Sequence, residues 1–492
     1  MAAPATPELH PNQASDRSLL LSLAWSAGGD WGSQIFAWAA FLAVTRLLAP
    51  SDFGMVALVA SFQPYLAYLA GFGIPRAVIA LRDLTDDQIA QLNTAAPLLG
   101  VIGFTLSVLL AHPLALFFRT PGLAPLAIVS CTGLILNGIQ SVSSALLSKA
   151  FRFRTLSLFN ASSALVAAFS TLLLAYLGLG YWSLVLGNLT AGVMRTILVM
   201  GTRRQKYVVP RFNSLRRPLV FGSHVFVMLV ALNSYQNLDD IMAGRMLGSS
   251  ALGFYGMAWT LANVPLEKIT SLLTTTIPSY LSAVQHDLPA VRRYVRGITG
   301  NLALATFPAC IGLGIVAPEF VRVFLGRRWE PAIGPLEILS IYAAFRSIVA
   351  LLPKVLTALG NPRFVMWIEL ASLVVLGGGF YLGSHWGITG IAWTWVVAYP
   401  WVVVPLYWKT FATIEMTVAE YFRALRPALE GTIGMVLSVE CARYALSGTH
   451  NPIQRLAVQV GAGAVAYIGT LLILHRGRTL ASFQLLKNFR NG

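Results

Sequence analysis

Apolar runs of about 20 residues or longer follow one another along almost the whole chain, and no polar stretch between them exceeds about 20 residues. The runs lie near 19–47, 54–80, 89–111, 122–148, 155–178, 181–201, 218–247, 251–282, 297–318, 333–358, 364–383, 386–408, 428–446 and 454–475, fourteen in all. A segment in hydrocarbon must satisfy its own backbone, so it is a helix or a strand of a closed barrel. Barrel strands need only about 10 residues and alternate polar with apolar, which these runs do not. Only 11% of the 492 residues are charged and 56% are apolar, with a mean hydropathy of +0.68. Soluble domains carry about 25% charged residues, so a soluble enzyme core, a secreted protein and a nucleic-acid domain are all excluded.

Lys and Arg set the orientation. With the N-terminus inside, 24 of the 35 Lys/Arg fall on the inner side, 8 outside, and Arg195, Lys268 and Arg346 lie within spans. The clusters Lys149/Arg152/Arg154, Arg203/Arg204/Lys206/Arg211/Arg216/Arg217 and Arg292/Arg293/Arg296 are separated by even numbers of crossings. Fourteen helices with both termini in the cytoplasm satisfy this. Reporter fusions after Phe212 and after Leu486 should both report the cytoplasm; a periplasmic signal at either would sink that topology.

The net charge of +16 is spread between the runs, so it reads as an anionic-leaflet contact and not as a nucleic-acid face. Cys131, Cys310 and Cys441 are far apart, without metal-ligand spacing, and read as small buried hydrophobes. The polar stretch to Arg17 lacks the charge and cleavage pattern of a signal peptide. Loops this short cannot build a catalytic domain with its own core. No P-loop, HExxH or GxSxG is present, and Asp83, Asp86 and Asp87 form an acidic turn suited to a helix start. The chain is expected to be no enzyme and to need no cofactor.

A repeat runs at an offset of 199 residues. The segment from Arg46 to Gly54 lies over that from Arg245 to Gly253 without a gap, with Arg46/Arg245, Leu48/Leu247, Ser51/Ser250 and Gly54/Gly253 identical. Six crossings separate the copies, so they share one orientation and define parallel repeats about an axis along the membrane normal. The expected fold is an all-α polytopic membrane protein of about 14 transmembrane helices. Its parts are a tail 1–18, an N-lobe 19–201, a basic linker 202–217, a C-lobe 218–408, a loop 409–427, a helix pair 428–475 and a tail 476–492.

RLLAPSDFG (46–54) resembles an R-x-L-G-P-x-D-F/Y-G signature, with Ala49 in place of the usual Gly. LLSKAFRFRTLSL (146–158), NLDDIMAGRMLGSSALGFY (237–255), GRRWEPAIGPLEIL (326–339) and ALGNPRF (358–364) follow in matching order. Together they resemble the Wzx-type polysaccharide transporters, the oligosaccharide flippases of the multidrug/oligosaccharidyl-lipid/polysaccharide exporter superfamily. The resemblance implies two six-helix lobes around a central cavity, with an added helix pair. It also implies transfer of an undecaprenyl-pyrophosphate-linked oligosaccharide across the bacterial inner membrane. Membrane lipids, and the polymerase and chain-length machinery of polysaccharide assembly, are the partners it implies.

Ionisable and amide side chains inside spans mark where such a head group would be handled. Asn233, Gln236, Asn237 and Asp240 recur every three or four residues, one stripe of a helix; a stripe of amides could also lean on a neighbouring helix. Gln34 superposes on Asn233 under the repeat, while Asp30, near mid-span among Trp25, Trp31 and Trp38, has no repeat partner. Asp30, Asp239 and Asp240 are the candidates for ion coupling, with pairing to Arg245 as the structural alternative for the latter two. Arg suits a pyrophosphate through its planar fork. Arg76, after the helix-loosening stretch from Gly71 to Pro75, Lys268, and Arg346 are the candidate cations, together with the amides Gln34, Asn233 and Gln236. A carboxylate such as Glu267 or Glu337 is the alternative partner for Arg346. Two rival functions are a cation-coupled drug exporter of the same superfamily and a polytopic glycosyltransferase or ligase.

Overall fold

The computed structural model describes residues 36–81, 83–202, 205–274, 287–448 and 451–475. Asp30, Gln34, Trp25, Trp31, Arg203 and Arg204 fall outside the described residues. All regular structure among the described residues is helical, and the described part of each apolar run is helical, with 54–80, 218–247 and 333–358 each divided between two helices. Among the described residues, nine stretches are long and apolar enough to cross a membrane, with Phe36–Leu47 a shorter apolar helix. The chain divides into two compact units, the first ending at Asn233 and the second beginning at Ser234.

The first unit holds α1 (Phe36–Leu47), α2 (Pro50–Gly71), α3 (Ile74–Ala80), α4 (Asp86–Phe117), α5 (Leu123–Lys149), α6 (Phe153–Tyr176), α7 (Tyr181–Thr202) and most of α8 (Phe212–Gln236). Pro50 starts α2 at the position where its missing N–H costs nothing. Asp52 reaches back to accept from the Ala49 N–H at 2.9 Å, closing the cap that Ala49 cannot form itself. Thr85 caps α4 with a reciprocal Gln88, while Asp86 and Asp87 occupy its first turn, so the acidic turn is a helix start. Asp83 pairs with Arg217, whose hydrogen bond holds the Asp83 carboxyl below its ordinary pKa.

The division at Asn233 lies beyond the basic linker because the start of α8 is sewn to α4. Gln88 Nε2 donates to Ser214 O at 2.9 Å, and Gln91 Oε1 accepts from Arg211 N–H at 2.9 Å. Leu215 is buried with Ile74, Val78, Leu92 and Val142. The Gly71-to-Pro75 stretch does break the helix, with Phe72 and Gly73 both in the left-handed region. Its glycine serves packing: a Cβ on Gly73 would lie 2.6 Å from the Gly222 Cα. Two backbones meet there, as small residues permit between membrane helices.

The second unit holds α9 (Leu238–Leu247), α10 (Ser249–Thr274), α11 (Leu288–Ile315), short helical turns over 317–332, α12 (Ile333–Val349), α13 (Leu352–Ala358), α14 (Pro362–Gly383), α15 (Gly387–Thr413), α16 (Val418–Ala445) and α17 (Pro452–Leu474). The repeat is visible in the chain path: α2 starts at Pro50 and α10 at Ser249, the same 199-residue offset. The run 218–247 is not one helix, since it breaks at Asn237 between α8 and α9. Val291, Val295, Cys310, Val355, Tyr421 and Leu425 form the main core, so the added pair α16/α17 is packed into this unit. Tyr467 of α17 donates to Leu304 O of α11 at 2.7 Å. Cys131 and Cys310 are buried as expected, but Cys441 is exposed, because it sits on the outward face of α16.

Candidate functional site

Three helices of the second unit present side chains at four-residue spacing toward a common layer. They are Tyr255, Trp259 and Asn263 on α10, Tyr342 and Arg346 on α12, and Trp395 and Tyr399 on α15. Trp395 is the hub: its ring centroid lies 5.3 Å from Trp259, 4.7 Å from Tyr342 and 5.1 Å from Phe380. Such tilted contacts fill a core while leaving the polar edges of the rings free to bond.

At one side of this layer is Asp239, in the first turn of α9, where a helix N-terminus favours a carboxylate. It is 1% exposed. Its Oδ2 accepts from the Tyr255 hydroxyl at 2.6 Å and from Trp395 Nε1 at 3.1 Å. Among the described residues the side-chain partners of Asp239 are thus neutral donors, with no ion pair to Arg245. Asp240 is half-buried beside it.

Arg346 joins the same layer through Trp259. Its Cζ stands 5.9 Å from the Trp259 ring centroid, and its Nη1 donates to Asn263 Oδ1 at 3.2 Å. Asn263 Nδ2 donates to Trp259 O at 2.9 Å, which turns the amide oxygen toward the guanidinium. Neither Glu267 nor Glu337 forms an ion pair with Arg346 among the described residues. The run 333–358 is split at 350–351, so Arg346 occupies the last turn of α12, where exposed carbonyls and the helix dipole favour a cation. The stretch containing it, Arg327–Ala358, is the most enclosed of the apolar spans, 67% buried against 11% for Phe153–Tyr176.

The other sequence-predicted residues are dispersed. Arg76 is exposed on α3. Asn233 accepts from the Tyr68 hydroxyl at 3.3 Å within the first unit. Gln236 ends α8, and Lys268 is half-buried on α10, one residue after the exposed Glu267. Of the candidates, Arg346 and Asp239 are brought into one connected cluster.

Sequence reasoning missed Tyr255, Trp259, Asn263 and Trp395. Their four-residue spacing was the available signal, but aromatic stripes in apolar helices are common core features. It also missed two cavities. An apolar groove of about 1020 Å³ in the second unit is lined by Phe307, Phe345, Ile348, Tyr407, Phe422 and Val436, among others. A cavity of about 840 Å³ inside the first unit is lined by Gln63, Asn137, Gln140, Asn160, Asn188 and Arg195 among smaller residues.

Comparison with known proteins agrees with this architecture. The chain is 23% identical over 481 residues to the succinoglycan biosynthesis transport protein ExoT of Rhizobium meliloti, covering 94% of each chain. It is 23% identical over 410 residues to the teichuronic acid biosynthesis protein TuaB of Bacillus subtilis, covering 82% of this chain and 84% of that one. Its fold is similar to that of the lipid II flippase MurJ in an inward closed conformation, with a TM-score of 0.69 at 14% identity, over 92% of this chain and 98% of that one. Residues 43–334 match the model of the polysaccharide biosynthesis protein family. This multi-pass helical membrane protein belongs to the polysaccharide biosynthesis protein family.

Proposed function

We propose that the protein flips a polyprenyl-pyrophosphate-linked oligosaccharide from the cytoplasmic to the periplasmic leaflet of the bacterial inner membrane, by alternating access and without chemistry on the substrate. The observation that carries the reading is the double role of α12. One side of it contributes Ala344, Phe345 and Ile348 to the apolar groove, and the intervening Arg346 reaches Asn263 and Trp259. A lipid-linked anion has those two requirements: hydrocarbon for its chain, and a cation with hydrogen-bond donors for its head. Dragging phosphates and sugar hydroxyls through hydrocarbon would leave each polar group unpaired, at roughly 2–7 kcal/mol for a neutral one. The names of ExoT and TuaB, proteins of polysaccharide assembly, support the glycan part of the reading.

Arg346 is the foremost pyrophosphate ligand in this proposal, with Arg76, Lys268 and the amides Gln34, Asn233 and Gln236 as further contacts. Asp30, Asp239 and Asp240 are the ion-coupling carboxylates. Asp239 has a geometry suited to that work, because Tyr255 and Trp395 can hold either protonation state through Oδ2.

The test is direct transfer. Proteoliposomes holding the purified protein should move a labelled polyprenyl-pyrophosphate oligosaccharide to the far leaflet, scored by an impermeant glycosidase. No transfer above protein-free vesicles, under any imposed ion gradient, would overturn the reading. The rival drug exporter draws on the carboxylate within its aromatic surround; extrusion of cationic dyes in place of glycan transfer would favour it.

A further inference from the structure

The interior of the first unit has a polar cavity that the pyrophosphate reading leaves unused. Helices α1, α2, α5, α6 and α7 surround it, and its volume is about 840 Å³. Alanines and glycines such as Ala164, Ala168, Ala191 and Gly192 make the room, since helices lined by small residues leave space that larger side chains would fill. Into that room the helices present Gln63, Asn137, Gln140, Asn160 and Asn188, five amides, and one cation, Arg195.

Some of this polarity is satisfied internally. Gln63 Nε2 donates to Ser130 O at 3.2 Å, and Gln140 Nε2 donates to Asn137 Oδ1 at 3.1 Å. Two groups are not. Among the described residues, Gln140, 4% exposed, has no donor for its Oε1, and Arg195 Nε has no acceptor. Among the described residues no carboxylate lines the cavity and Arg195 takes part in no ion pair. A guanidinium inside a membrane lobe costs several kcal/mol unless an anion or water meets it.

The geometry points to an acidic saccharide as the ligand. Five amides, each both donor and acceptor, match the hydroxyls of a sugar ring, and the alanine wall matches its C–H faces. A monatomic anion would use neither. A pyrophosphate would bring two or more negative charges to one cation, whereas a single carboxylate is met by one guanidinium fork. We propose that this cavity is an intralobe subsite for an acidic sugar residue, its carboxylate on Arg195 and its hydroxyls on Asn137, Gln140 and Asn188. That the sugar belongs to the transported glycan rests on the flippase reading; the binding itself does not.

Titration calorimetry of the full-length protein in nanodiscs would test this with three probes: a glucuronosyl-glucose disaccharide, its neutral diglucose counterpart, and sodium acetate. The acidic disaccharide should bind roughly ten- to hundredfold more tightly than the neutral one, the weight of a charge-assisted hydrogen bond. Arg195→Gln should erase that preference, and Arg195→Lys should keep part of it, which covers the case of a Gln variant that does not fold. Gln140→Leu should weaken both disaccharides alike. Equal binding of the two disaccharides, unchanged preference in Arg195→Gln, or acetate binding as tightly as the acidic disaccharide would overturn the subsite. Arg195-dependent binding in a protein that transfers no lipid-linked glycan would keep the subsite and retire the flippase reading. Glycan transfer with indifferent sugar binding would do the reverse.

Discussion

Arg346→Ala should lower glycan transfer per folded molecule by about two orders of magnitude, equivalent to about 3 kcal/mol of lost head-group binding. The guanidinium is held at the end of α12 between the Asn263 amide oxygen and the Trp259 ring. Alanine removes the anion-binding fork and leaves the Asn263 amide oxygen without this donor, at a cost of about 1–3 kcal/mol of stability. Cells carrying the variant should therefore retain membrane-inserted protein and accumulate lipid-linked oligosaccharide on the inner leaflet. Arg346→Lys should recover part of the flux, since a point charge remains while bidentate geometry is lost. Quantifying protein and flux together separates roles: normal flux per molecule in the Ala variant would remove Arg346 from the substrate site.

Asp239→Asn should leave the fold intact and reduce gradient-dependent transfer at least about tenfold if this carboxylate carries the coupling ion. Asparagine keeps an oxygen for the Tyr255 hydroxyl and for Trp395 Nε1 while removing the charge. Asp239→Ala is the structural control. It leaves the buried Tyr255 hydroxyl without its acceptor, at about 1–3 kcal/mol, while Trp395 Nε1 keeps a bond to the Tyr255 oxygen at 3.0 Å, so it should lower the amount of folded protein. Asp30→Asn offers the same comparison in the first apolar run, with protein levels expected to hold and gradient dependence expected to be lost. Full transfer and full gradient dependence in both Asn variants would make these carboxylates structural.

Particular residues show how far the linear pattern reached. Arg46 and Arg245, with the glycines eight residues on, identified a repeat whose copies do restart their helices at Pro50 and Ser249. The acidic turn of Asp83, Asp86 and Asp87 was legible as a helix start because capping is local, although the cap itself is Thr85 with Gln88 three residues on. The Gly71-to-Pro75 stretch was legible as a break, yet its purpose was not, because the Gly222 backbone that presses on Gly73 is 149 residues away. Arg195 was visible as a charge within a span, but nothing near it in sequence shows that Gln63, Asn137 and Gln140 share its cavity.

Hydrophobic run length, basic bias and repeat offset determined that this chain is a helical membrane protein of two related halves. The physical reason is that each depends on local free energies: transfer of about 20 residues into hydrocarbon, and capping within one turn. The tertiary structure decided which polar side chains meet. Among the described residues it joined Asp239 to Tyr255 and Trp395, and Arg346 to Asn263 and Trp259, with no ion pair from either to the partners expected from the sequence. Those pairings join residues 16 to 156 positions apart on different helices, and they follow from how ridges of side chains interlock between helices, which no stripe on a single helix specifies.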